Sequence, residues 1–143
     1  MRETEVFSVD ERDSCWEDDH PRFRVYLHGS GESSTSGWTD TYDVIGADVL
    51  QVIDWAQRQA GGRLTYAIAL VSDPDGPDED VPFDRGLVWL VGMDGNDVTD
   101  GDPRTAETQR RMLARRHEPV VIPAQDRLPD GLIDPYNDGT YRR

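Results

Sequence analysis

Residues 46–71, GADVLQVIDWAQRQAGGRLTYAIALV, set one hydrophobic period directly after another. Up to residue 60 the apolar side chains Val49, Val52, Ile53, Ala56 and Ala60 recur at steps of three and four, which lines one face of an α-helix. Gly61 and Gly62 end that helix. Residues 64–71 are almost continuously apolar, the pattern of a strand covered on both faces. The opposite side of the helix gathers Asp48, Gln51, Asp54 and Arg58 and reads as solvent-facing. Asp54 and Arg58 are spaced there for a surface pair worth a few tenths of a kcal/mol. Trp55 falls at the flank of the apolar stripe, where exposure is expected.

A buried strand needs neighbours, and the segments on either side supply them. Residues 22–28 (RFRVYLH) alternate, with Phe23, Val25 and Leu27 on one side and Arg24, Tyr26 and His28 on the other. Residues 38–45 (WTDTYDVI) alternate again, with Trp38, Tyr42 and Val44 on one face. The Gly/Ser stretch 29–37 (GSGESSTSG) between them is too polar to pack and reads as a hairpin loop. Residues 86–93 (GLVWLVGM) are continuously apolar and are expected to sit beside 64–71 at the heart of the sheet. Between these two strands, residues 73–84 (DPDGPDEDVPFD) hold three prolines and six acids, so they should project as an acidic loop.

Asp102 with Pro103 signals a second helix, running to a stop before Pro119 with Arg110, Arg111, Arg115 and Arg116 towards its negative end. Residues 119–123 (PVVIP) read as a short edge strand bracketed by proline. The fold class is therefore α+β, a single compact domain with a mainly antiparallel sheet in the order ββαββαβ and one or two packed helices. Residues 21–124 form this core. Residues 1–20, with eight acids, two arginines and scattered apolars, read as a flexible acidic arm that Trp16 would anchor. Residues 125–143 read as an irregular tail, broken by Pro129, Gly131, Pro135 and Gly139.

Charge narrows the function classes. Twenty-nine Asp and Glu face fifteen basic residues, all of them Arg, for a net charge of −14 over 143 residues. That excess points away from nucleic acid and anionic membranes as general ligands. The absence of Lys beside abundant Arg, Gly, Asp, Val and Pro is what GC-rich codons favour, as in a high-GC bacterium or its phages. The single Cys15 allows no internal disulfide, residues 1–20 lack a secretory apolar run, and no stretch approaches a membrane span, so a cytoplasmic location is expected.

Motifs for chemistry are weak throughout. The Gly/Ser loop lacks the Lys and the following helix of a phosphate loop. Residues 96–107 resemble the spacing of a calcium loop, but Val98 and Pro103 occupy the wrong places. His20, His28 and His117 have no shared metal spacing, and Cys15 has no strained nucleophile elbow around it. No catalytic residue, metal or cofactor is assigned. The arginines of the second helix are read as partners for the chain's own acids rather than for nucleic acid.

The expectation is a non-catalytic module that uses acidic loops against a basic protein partner, in the manner of immunity proteins and DNA mimics. Its contact residues would be Asp73, Asp75, Asp78, Glu79 and Asp80, with Trp38 and Trp55 as aromatic anchors. Two rivals stand beside it. One is a small enzyme or ligand-binding domain with a pocket near the Gly/Ser loop, beside Tyr26, His28 and Tyr42. The other is a structural component of a larger assembly, including a homo-oligomer.

Overall fold

Four antiparallel strands and two helices make up the α+β fold of the computed structural model, which describes residues 4–29, 35, 37–72, 85–96 and 102–129. The elements are β1 (Phe23–Gly29), β2 (Trp38–Val44), α1 (Val49–Ala60), β3 (Thr65–Ser72), β4 (Gly86–Val91) and α2 (Pro103–Ala114). The sheet order is β2-β1-β3-β4. Among the described residues no helix is long and apolar enough to cross a membrane.

Register divides the side chains into two faces. Val25 stands opposite Tyr42 on β2 and Ile68 on β3, and Leu27 stands opposite Asp40 and Tyr66. This face receives α1, whose Val52, Trp55, Ala56 and Ala60 pack with Phe23, Val25, Leu27, Val44, Tyr66 and Ile68 as the main core. The helix begins with a reciprocal cap. The Asp48 carboxylate accepts from the Gln51 N–H at 2.9 Å and the Gln51 side chain accepts from the Asp48 N–H at 2.9 Å, satisfying two of the amides that a helix start leaves open. Gly61 then stops it in the left-handed region, at φ +62°.

On the opposite face Tyr26 pairs with Ala67, and Ala69 stands opposite Trp89. The two alanines leave room above β3, so the Tyr26 and Trp89 rings meet across it at 5.1 Å between centroids. Tyr26 also stacks with His28 at 6.2 Å. Met112, the buried residue of α2 at 1% exposure, closes this side. A Cβ on Gly92, which holds φ +73°, would lie 3.1 Å from the Ala67 Cβ and 3.2 Å from the Met112 Cγ, so glycine is what lets the chain pass between them.

Several expectations are corrected. Residues 119–123 do not form a strand, and at Val120 a side chain of α1 occupies the backbone. The Gln57 side-chain amide donates to the Val120 carbonyl, and its oxygen accepts from the Val120 N–H at 3.0 Å, imitating one rung of a ladder. Gln51 donates to the Asp126 carbonyl at 2.7 Å and Arg58 to the Leu128 carbonyl at 2.8 Å. The polar side of α1 therefore carries a strap rather than facing water, and Asp54 is only 2% exposed beneath it. Trp55 is likewise a core residue at 4% exposure, edge-on to Tyr42 with centroids 5.5 Å apart. Trp16 anchors nothing described: it is 77% exposed, on an arm whose described residues up to His20 are all exposed.

Met112→Ala should lower stability by about 2–5 kcal/mol if α2 is held through this one side chain, since it deletes a fully buried chain and leaves a cavity. Chemical denaturation measures it; a loss below about 1 kcal/mol, the range of surface changes, would show α2 to be docked by other means.

Candidate functional site

β4 differs most from its expected place. It is an edge strand rather than a central one, and its apolar run is open to solvent, with Leu87, Val88 and Leu90 exposed at 36%, 51% and 44%. Val88 stands opposite Leu70, on the α1 face, and Leu87 opposite Val71, on the other, so the start of the strand is uncovered on both faces. The cause is the position of α1, which packs over β1 and β3 and stops short of β4. Trp89 is tied down through Tyr26, and Val91 packs against the main core.

An edge strand leaves a row of backbone donors and acceptors unpaired, and proteins usually blunt such edges with charge, proline or a bulge. Gly86–Val91 contains neither charge nor proline. The one irregularity of pairing falls on β4 itself: Ile68 and Ala69 pair with Val91 and Trp89, which leaves Leu90 as the extra residue of a bulge in the edge strand. The other sheet edge is the contrast. β2 carries Thr39, Asp40, Thr41 and Asp43, and Asp43 is gripped by Arg22 and by Arg24, whose Nε lies 2.7 Å away. Burial pushes the Asp43 carboxyl up, and the two guanidinium groups outweigh it and hold the carboxyl below its ordinary value.

Of the expected contact residues, Trp38 lies at the far edge, on β2. Its indole covers Gly29, and any Cβ there would collide with the ring. It is half exposed, whereas Trp55 is interior. Asp73, Asp75, Asp78, Glu79 and Asp80 lie outside the described residues, in the segment that enters β4. The apolar edge itself was missed as a contact surface, because a continuous apolar run reads the same whether it is buried or presented.

The residues expected around a pocket at the Gly/Ser loop do not converge. Tyr42 is on the α1 face, while Tyr26 and His28 are on the other. His28 is fully buried and both ring nitrogens are used. Nε2 accepts from the Gly95 N–H at 3.2 Å, which assigns the ring proton to Nδ1, 3.1 Å from the Thr39 hydroxyl. Around it, Thr35 donates to the Gly95 carbonyl at 2.8 Å, Asn96 donates to Thr39 at 3.0 Å, and the Gly37 N–H donates to Asn96 at 2.9 Å. A Cβ on Gly95 would strike the Thr35 carbonyl and the His28 ring, so this approach requires glycine. The network fastens the far end of the loop to the turn after β4. It also commits the Asn96 side chain, the first position of the supposed calcium loop, to structure; residues 97–101 lie outside the described residues.

Among the described residues one trio of possible metal ligands lies close together, Asp18, Asp19 and His20, all exposed on the arm. Comparison with protein-family models, curated proteins and solved structures returned no match.

Burial lowers the His28 pKa, against a weaker opposing pull from Asp94. A group depressed in the folded state binds its proton more readily when unfolded. Its contribution is therefore complete above its ordinary value of 6.5 and lost as pH falls through that value towards the folded one. Denaturation between about pH 7 and pH 5 should show stability declining, and the decline should flatten in His28→Gln, which keeps an acceptor but does not titrate. Parallel curves for the two proteins would show that His28 does not control this window.

Proposed function

We propose that this chain is a non-catalytic protein-binding module that captures a basic protein partner on the open edge of β4. The observation that carries the reading is an uncharged edge strand that exposes Leu87, Val88 and Leu90, in a chain of net charge −14. The partner adds an extended segment to the sheet. Main-chain hydrogen bonds supply affinity, and alternate apolar side chains settle on Leu87 at one face and on Val88 and Leu90 at the other. The acids Asp73, Asp75, Asp78, Glu79 and Asp80, which precede the strand in sequence, are the charged contacts in this reading. They speed encounter with a partner rich in Lys and Arg and reject acidic competitors. Trp38, on the other sheet edge, is a secondary contact of the same partner.

Retention from extracts of the native host tests this with paired baits. The unaltered chain should hold a basic protein at low salt and release it at high salt. The double variant Val88→Lys/Leu90→Lys, with an unchanged thermal midpoint, should retain at least about tenfold less of it, the loss expected when a hot spot is disrupted. Equal retention by both baits would remove β4 from the interface. Edge pairing by the purified chain with itself, abolished by the same variant, would make the occupant a second copy and overturn the basic partner.

A further inference from the structure

The backbone of β4 also selects the kind of segment its edge can take, an inference that rests on the edge capture proposed above. In an antiparallel ladder the N–H and C=O of one residue point to one side of its strand and those of the next residue to the other. The Val71 N–H donates to the Arg22 carbonyl at 2.9 Å, so the polar groups of Val71, and by alternation those of Ala69, face β1. Leu70 and Ser72 therefore face β4, where they stand opposite Val88 and Gly86. The groups of Leu87 and Trp89, opposite Val71 and Ala69, are left pointing outward. Among the described residues no strand pairs with that side. The bulge at Leu90 then breaks the regular register. What remains is a frame made of Leu87, Val88 and Trp89, with an outward donor and acceptor at each end and neither in the middle.

Side chains differ along this frame. At the entry Leu87 and Val88 are exposed on opposite faces, and both are aliphatic. At the exit Trp89 is half-buried and leans inward over β3 to Tyr26, with 5.1 Å between ring centroids, which leaves the place beside it at the edge to a long side chain. Charge follows the same direction. Asp94 lies just beyond the end of the strand; its carboxylate accepts from the Asn96 N–H at 2.9 Å and forms no ion pair among the described residues. Arg85, immediately before the strand, has the opposite sign and is engaged within the chain. A cation on a captured segment is thus favoured at the Trp89 end, by the indole face and by the Asp94 carboxylate, and gains neither at the Leu87 end.

We propose that β4 captures an antiparallel segment whose residues, read from its N-terminal side, are basic, apolar and apolar: a Lys or Arg opposite Trp89, an aliphatic residue opposite Val88 and another opposite Leu87. Antiparallel pairing reverses the order of β4, is the pairing of every strand in the sheet and is slightly the more stable of the two. The first and third residues of the segment exchange N–H and C=O bonds with Trp89 and Leu87, and their side chains lie on the Tyr26 face. The second turns its own N–H away from β4 and sets its side chain beside Val88, on the α1 face that α1 leaves uncovered there. The long side chain of the first lies across the indole with its charge towards Asp94.

Chemical-shift titration of the unaltered chain with short capped peptides at low salt tests this pattern. Acetyl-Gly-Arg-Val-Val-Gly-amide should move the amides of residues 86–90 saturably, with a Kd in the millimolar range or tighter. Methylating the nitrogen of its Arg or of its second Val removes an N–H that faces β4 and should weaken binding at least about tenfold, whereas methylating its first Val should change binding less than about twofold. Gln in place of the peptide Arg should weaken binding several-fold on the unaltered chain and measurably less on Asp94→Asn, which keeps the acceptor for Asn96 without the charge. The reversed order, acetyl-Gly-Val-Val-Arg-Gly-amide, should bind several-fold more weakly. Equal loss at all three methylated positions, or equal affinity for the two orders, would overturn the pattern while leaving β4 as the capture surface. Absence of saturable shifts with every peptide would overturn the pattern as well, and the capture reading would fall with it only if the Val88→Lys/Leu90→Lys bait retained its protein undiminished.

Discussion

One helix has to cover a four-stranded sheet, and it is too narrow to do so. A helix with its side chains is about 10 Å across and neighbouring strands are about 4.8 Å apart, so α1 covers about two of them. The two it covers are β1 and β3, which carry the fully buried Val25 and Ile68. What happens at each edge follows from this. β2 meets solvent with threonines and with an aspartate locked between two arginines, whereas β4 meets it with leucine and valine. Polar side chains resolve the first edge within the chain. The second is left as a surface with exposed apolar area and open backbone, the surface on which the proposed function rests.

The same helix organises the other side of the molecule through its polar residues. Gln51, Asp54, Gln57 and Arg58 recur at the spacing of a helix face, and all four are bonded. A glutamine side chain offers both a donor and an acceptor, as a peptide group does, so Gln57 holds Val120 much as a neighbouring strand would. The strap in turn removes Asp54 from water. A buried carboxylate is stable only when paired, and Arg58 with Arg127 supplies the pairing. The meeting of Arg58 with Arg127 at Asp54 is thus a consequence of how α1 secures residues 119–128.

Elements with a period were legible in the sequence, and decisions between environments were not. The three-and-four recurrence of Val49 to Ala60 marks α1 within its observed bounds, and the alternation of Phe23, Val25 and Leu27 places β1 and its inner face correctly. Periodicity carries no information about the number of layers, so the apolar runs of β3 and β4 looked alike although one is central and the other an edge. Residues 119–123 have strand-like composition, but pairing depends on what else can reach the backbone, and there it was a side chain remote in sequence. The polar face of α1 failed for a related reason: a stripe of Gln, Asp and Arg is equally suited to water and to binding a passing backbone. The Arg cluster at the end of α2 was visible in the sequence. Arg127 joins Arg58 at Asp54 through tertiary folding alone.

The net charge and the bare edge bear on each other through distance. Two copies carrying −14 each at about 30 Å would repel by about 27 kcal/mol in salt-free water. With a Debye length of about 8 Å the same repulsion falls below about 1 kcal/mol, too little to keep an apolar strand from pairing with its like. The charges that matter must therefore lie within about one Debye length of the edge. In sequence the nearest acid to the strand is Asp84, two residues before Gly86. On the proposed function, acids within that range would repel a like-charged copy and attract a basic segment. The proposed selectivity of the edge therefore rests on charge near the strand rather than on the charge of the whole chain.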